Sequence, residues 1–263
     1  MTGLRSAEDS TDAMAFLRPP QVRLGLLGGF ELVVDGAQVD VAWSAQRVVA
    51  YLALGGRSQP RITVASALWL DVTEERAAAN LRNALWKFRA TRERVITTQT
   101  KKLGLAAHVT VDVTRVVEEA RKLLDPGGSA GDSSECAVGA TILDVLSRDL
   151  LPDWEDDWIL FKREWLRQLR IHAIEALATQ LRLSGRYAEA VEAGLSAVSA
   201  DPLRESAQRA LIEAHLAEGN VADARRQFVI FRRLLRDDLG VLPSHALSQL
   251  VGFTSADDLH SRG

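Results

Sequence analysis

The 263 residues carry 32 Lys and Arg against 35 Asp and Glu, a formal net charge of −3, with 47% hydrophobic and 25% charged side chains. That is the balance of a globular chain long enough for one large domain or two ordinary ones, and no run of about eighteen uncharged apolar residues is present to cross a bilayer. Cys136 is the only cysteine, which excludes an intramolecular disulfide and a thiolate zinc cluster and fits a reducing, cytoplasmic setting.

The first twenty residues lack the basic start and apolar block of a signal peptide and read as a short disordered lead. Beyond them the charge divides: residues 21–112 sum to +4 and residues 113–263 to −6. Such asymmetry hints at nucleic acid for the front and protein contacts for the back. VRLGLL, FELVV and QVDV are short β-type runs separated by Gly28-Gly29 and by Asp35-Gly36, a hairpin-turn pair, and predict three antiparallel strands. Ser44 is a candidate cap for a helix over AQRVVAYLAL, which Gly55-Gly56 ends. RITVASALWL predicts a second short helix with Thr63 as cap and Ile62, Leu68 and Trp69 inward. Asp71 or Thr73 starts a third, ERAAANLRNALWKFRATRER, whose N-terminal end Glu74 and Glu75 complement. VITTQTKKLGLAAHVTVDV then alternates around a Gln-Thr-Lys-Lys tip, as a hairpin does.

From Val116 the pattern is almost wholly helical. Helices over VTRVVEEARKLL and AVGATILDVLS flank a Gly/Ser connection, PGGSAGDSSE. Farther on, GRYAEA and GNVADA put Gly185 and Gly219 34 residues apart, the tetratricopeptide period. Gly185, Tyr187, Ala190, Ala197 and Pro202 follow that repeat's order of turn glycine, small packing residues and breaking proline; the second copy lacks the tyrosine and the proline.

The third helix carries the functional signal. Between Arg76 and Arg92 there is no carboxylate. At 100° per residue Ala77, Leu81, Ala84, Leu85 and Phe88 share one apolar side, and Arg76, Ala79, Asn80, Asn83, Trp86, Lys87 and Ala90 lie opposite. Arg, Lys and Asn are the donors that meet phosphates and base edges, and alanines keep the face slim enough for a groove about 12 Å wide. Arg82 and Arg89 add charge to the same helix, and Thr100, Lys101 and Lys102 sit at the hairpin tip. The plainer reading is a solvated basic face, or one paired with acids from the helical half. Strands, two helices, a basic helix and a hairpin, in that order, favour a winged helix-turn-helix with the third helix in the major groove.

Other motifs read as structural. Trp154, Trp158, Phe161 and Trp165 recur at i, i+4, i+7 and i+11, an aromatic stripe read as core rather than ligand pocket. Glu155, Asp156 and Asp157 are adjacent, point apart on a helix, and read as a helix start rather than an acid/base pair. No two of His108, His172, His215, His245 and His260 have metal-ligand spacing, and Cys136 has no histidine near it in sequence. The Gly-Gly pairs lack a phosphate-loop pattern. Neither enzyme chemistry, a metal nor a cofactor is expected. In RRQFVIFRRLLR, Arg225, Arg226, Arg232, Arg233 and Arg236 are read as pairing with Glu213, Glu218 or the acids near Asp237.

LGLLGGFELVVDGAQVDV, QRVVAYLAL, SALWLDVTEERAAANLRNALWKFR and LLPDWEDDWILFKREWLRQLRIHAIEAL together resemble the Streptomyces antibiotic regulatory proteins (SARP) over about residues 21–250. The resemblance implies an OmpR-type winged helix followed by a bacterial transcriptional activator domain. It implies binding to short direct repeats near a promoter −35 element, as a homodimer on DNA, and recruitment of RNA polymerase holoenzyme through its sigma factor and alpha subunit. By position it puts Arg76, Asn80, Asn83 and Lys87 on the recognition helix and residues 100–102 on the wing. ATPase, sensor and phospho-receiver domains are not expected.

The expected fold is α+β: a lead over 1–20, a winged helix over 21–112, an all-α tetratricopeptide-like domain over 113–252 and a tail over 253–263. The expected function is a sequence-specific duplex DNA-binding regulator, an activator of a secondary-metabolite gene cluster. Two rivals stand beside it: a protein-interaction adaptor using the repeat groove, and a repressor on the same fold. Salt separates the first, because phosphate-mediated binding weakens with a slope of about −0.9 per phosphate.

Overall fold

The computed structural model describes residues 21–125 and 148–252, with 143 and 146 between them. The expected lead, the Gly/Ser connection with Cys136, the helix over AVGATILDVLS apart from those two positions, His260 and the tail lie outside the described residues. Two compact units divide the chain: residues 1–115 with 149–163, and residues 116–148 with 164–263.

The first unit runs β1 (Val22–Gly25), β2 (Glu31–Val34), β3 (Ala37–Gln38), α1 (Trp43–Gly55), β4 (Gln59–Pro60), α2 (Arg61–Leu68), α3 (Glu74–Lys87), α4 (Arg89–Val95), β5 (Ile96–Gln99), β6 (Lys102–Leu105) and β7 (Val109–Val111), and α5 (Asp112–Leu124) begins in it. Alternation puts Val22, Leu24, Leu32 and Val34 on one buried face. Asp35 and Gly36 both take positive φ, 51° and 85°, the turn that a two-residue hairpin needs. One sheet has the order β3-β2-β1-β7, with β7 parallel to β1 and the other pairs antiparallel. A second has the order β4-β6-β5. Asp112, just past β7, accepts from the backbone N–H groups of Leu26 and Leu27 at 2.9 Å, which extends the tie between β1 and β7.

The helices pack Val48, Val49, Leu52, Val64, Leu68, Leu81 and Leu85 inward. Each such side chain contributes about 1.5–3 kcal/mol by leaving water. Two expected caps are corrected. Ala42, not Ser44, precedes α1, because the N–H groups of Ala45 and Gln46 already reach the Ala42 carbonyl at 2.8 and 3.0 Å. Pro60, not Thr63, precedes α2, because β4 runs straight into the helix and its proline is preset for that entry. Ile62 is exposed rather than inward, Trp69 is half-buried and Leu68 is buried.

Residues 149–163 return to this unit as a strap. Leu150 bridges Leu27, the Gly28 N–H donates to the Asp149 carbonyl at 2.7 Å, and the Leu151 N–H donates to the Leu26 carbonyl at 2.9 Å. Arg163 donates to the carbonyls of Leu150, Leu151 and Trp154 at 3.0, 2.6 and 3.0 Å, satisfying three acceptors at once. The aromatic stripe is therefore half right. Trp154 packs 4.6 Å from Trp43, and Trp158 lies 5.3 Å from Tyr51, ring centroid to centroid. Phe161 is 83% exposed and Trp165 49%, because α6 (Asp157–Leu183) starts after Trp154 and buries Ile159 and Leu166 instead.

The second unit contains residues 164–183 of α6, then α7 (Tyr187–Ala200), α8 (Glu205–Glu218), α9 (Val221–Leu239) and α10 (His245–Leu250). Gly185 and Gly219 both take left-handed φ at helix ends, as the repeat reading expects. Ala190, Ala193 and Ala197 are fully buried, and a Cβ on Gly194 would lie 2.8 Å from the Leu211 Cα, so α7 and α8 touch almost backbone to backbone. Without a proline to stop it, α9 has 19 residues against 14 for α7. Its Phe228, Phe231 and Leu235 pack with Ile212 and with Leu247 and Val251. Arg236 pairs with Asp237 at 3.3 Å, as expected, whereas the other partners are corrected: Arg226 pairs with Asp223 at 2.5 Å and the Arg225 Nε donates to the Val251 carbonyl. Glu213 pairs instead with Arg182 at 3.2 Å, and Glu218 accepts from Asn220, because those groups lie nearer.

Candidate nucleic-acid interface

Thr73 caps α3, its hydroxyl accepting from the Arg76 N–H at 3.4 Å, and Glu74 and Glu75 occupy the positive helix end. Ala77, Leu81, Ala84, Leu85 and Phe88 are all buried at 4% exposure or less, so the face opposite is fixed toward solvent. On it Arg76, Ala79, Arg82, Asn83, Trp86, Lys87 and Ala90 are exposed, and Asn80 is half-buried. The helix is not continuous through Arg94 as its sequence suggests. Phe88 leaves helical geometry at φ −94° and ψ 7°, its ring stays buried, and α4 begins at Arg89. The Arg89 guanidinium lies 4.5 Å over the Trp86 ring, holding the exposed indole by cation–π attraction across that break.

The wing is the β5–β6 hairpin, with Gln99 paired to Lys102 and a two-residue tip at Thr100 and Lys101. Thr100 has φ 48°, and Thr100, Lys101 and Lys102 are all exposed. Two further cations lie near it that sequence reasoning missed. β4 pairs Pro60 with Lys102, and the Arg61 N–H donates to the Lys101 carbonyl at 2.9 Å, so Arg61 lies against the wing tip, with the exposed Arg57 two residues before β4. A two-residue strand has no periodicity to read, and this pairing left no signal in the sequence.

Among the described residues, no carboxylate forms an ion pair with Arg76, Arg82, Lys87, Lys101 or Lys102, and no hydrogen bond or ion pair joins the helix cations to the wing. Arg94 differs: it binds Asp35 at 2.6 Å, and its carbonyl is 2.7 Å from the His108 Nε2, which fastens α4 to the β2–β3 turn. Unpaired cations and amides on a slim helix can donate to phosphate oxygens and base edges.

Residues 111–252, more than half of the chain, match the family described as Bacterial transcriptional activator domain. The chain belongs to that family. Membership in the bacterial transcriptional activator domain family bears out the resemblance to the Streptomyces antibiotic regulatory proteins and puts the chain among transcriptional regulators. The regulatory protein AfsR of Streptomyces coelicolor is 26% identical over 235 residues, 87% of this chain but 24% of AfsR, so the chain spans about a quarter of that relative's length. The solved structure of Mycobacterium tuberculosis EmbR in complex with a low-affinity phosphopeptide superposes with a TM-score of 0.69 at 21% identity, covering 88% of this chain and 64% of EmbR. That likeness concerns the fold, which is α+β as expected. Among the described residues, no helix is long and apolar enough to cross a membrane, and no group of three His, Cys, Asp or Glu is arranged to hold a metal ion.

Proposed function

We propose that this chain is a sequence-specific duplex DNA reader that activates transcription. α3 enters the major groove, with Asn80 and Asn83 reading base edges and Arg76, Arg82, Lys87 and Arg89 anchoring phosphates or guanine, while Thr100, Lys101 and Lys102 hold the backbone beside it. The observation that carries this reading is the exposed face of α3 from Arg76 to Lys87, free of carboxylates and of ion pairs. The family relationship supports the finer parts: a homodimer on short direct repeats near a −35 element, working in the cytoplasm and recruiting RNA polymerase through its sigma factor and alpha subunit for a secondary-metabolite gene cluster.

The test is selection of genomic duplex fragments by the full chain and by its Asn83→Ala, Lys87→Ala variant at two salt concentrations. Enrichment of promoter fragments carrying a direct repeat, lost in the variant, is the expected result. Each good base contact is worth about 1–3 kcal/mol. Equal recovery by both proteins, or none by either, refutes α3 as the reader. Transcription from an enriched fragment then separates activation, the expected direction, from repression.

A further inference from the structure

The turn between α2 and α3 sets the direction in which α3 leaves the protein. One residue grips that turn from outside. From α1, an Arg47 Nη donates to the Leu68 carbonyl at 2.5 Å, and the guanidinium stacks 5.6 Å over the Trp69 ring. Leu68 ends α2 and Trp69 caps it, four residues before Thr73. The same Nη of Arg47 is bound by Asp156, which arrives on the strap. Both side chains are largely buried, 17% and 12% exposed, so the pair is screened far less than a surface pair.

Asp156 is itself held in place. Trp154 packs against Trp43 at the start of α1 with the rings tilted by 58°, and Arg163 fixes the strap's carbonyls. A rigid support on one side of Arg47 and the α2 terminus on the other make Arg47 a coupling between strap and turn.

We propose that Asp156 is a positioning residue for the duplex reader: through Arg47 it fixes the α2–α3 turn and so the angle at which α3 meets base edges. This rests on the reading of α3 as the DNA-contacting helix. Base-edge hydrogen bonds tolerate errors of about 0.5 Å, whereas long Arg and Lys side chains still find phosphates when a helix tilts. Loss of the carboxylate charge therefore reduces discrimination while sparing non-specific binding.

The experiment measures the affinity of the full chain for a wild-type-selected fragment and for a scrambled duplex, with Asp156→Asn and Arg47→Lys alongside. Amide hydrogen exchange over residues 68–73 is followed in the same proteins. Asp156→Asn is expected to weaken the selected fragment by about tenfold, leave the scrambled duplex and its salt slope unchanged, and speed exchange in the turn. Arg47→Lys, which keeps the charge but loses the planar fork, falls in the same direction. Discrimination equal to wild type in both variants overturns the proposal. So does a parallel loss on both duplexes that follows the folded fraction, which would make the pair a brace for stability alone. If Asp156→Asn does not fold, Arg47→Lys and its exchange pattern decide between the same outcomes. Wild-type protein that selects no fragment refutes the DNA reading itself, a result distinct from either.

Discussion

Replacing Gly194 by alanine sets two opposing effects against each other at one position. In a helix interior alanine is favoured over glycine by about 1 kcal/mol. Against that, the new Cβ would stand 2.8 Å from the Leu211 Cα, 3.0 Å from its Cβ and 3.2 Å from its Cδ1. Carbon atoms prefer about 3.5–4.0 Å, and a Cα cannot rotate away. α8 must retreat by about 1 Å, loosening the layer formed by Ala190, Ala193, Ala197 and Leu211, all fully buried. Overpacking of this kind costs about 1–3 kcal/mol, and contact with backbone puts it in the upper half of that range. The net loss is then about 1–2 kcal/mol, or a Tm lowered by about 2–8 °C for a chain of this size. Thermal unfolding followed by circular dichroism at the helix band measures it. Adding Leu211→Ala removes only the Cδ1 contact, so rescue is incomplete. A Gly194→Ala protein with an unchanged or higher Tm would refute the near-backbone contact between α7 and α8.

Gly185→Ala meets no atom within 4 Å yet loses about 1–2 kcal/mol in urea denaturation, because its φ of 76° is left-handed. Arg163→Met strips three strap carbonyls of their donor and lowers stability by about 1–3 kcal/mol, read from the urea midpoint at unchanged slope. Lys101→Ala, at the exposed wing tip, flattens the salt dependence of duplex binding by about 0.9 and weakens all sequences alike, measured by anisotropy titration. Hydrogen bonds from Arg167, and then from Gln168, lower the Glu164 carboxyl from 4.5 to about 2. A depressed folded-state value means stability that is complete above 4.5 and is lost as pH falls toward 2; Glu164→Gln flattens that limb of an acid titration.

Elements with strong local signals were legible. Asp35-Gly36 marked the first hairpin, the 3.6-residue stripe marked the buried face of α3, and the 34-residue spacing of Gly185 and Gly219 marked the repeat. What escaped was set by distant partners. Ile62 belongs to an apolar stretch, but α2 is entered from β4 and turns it outward. Phe161 and Trp165 fit the stripe's spacing, but the helix starts three residues after Trp154, which takes them off the buried face. Arg61 gains its place against the wing tip from a two-residue strand, too short for any period. The pairing of Arg47 with Asp156 spans 109 residues and has no local trace.

The first unit is assembled from two separate stretches of the chain, and this gives its folding a temporal order. During synthesis the residues of both sheets, of helices α1–α4 and of the wing have been made by residue 112. The strap that closes over Trp43 and Arg47 follows fifty residues later. At about 5–20 residues per second that interval lasts roughly 3–10 s. Throughout it Trp43 and Tyr51 lack the rings of Trp154 and Trp158 and the Arg47 guanidinium lacks its carboxylate. A nascent chain thus passes through a stage in which the basic helix exists but its supporting turn is unbraced, and translation beyond residue 163 ends that stage.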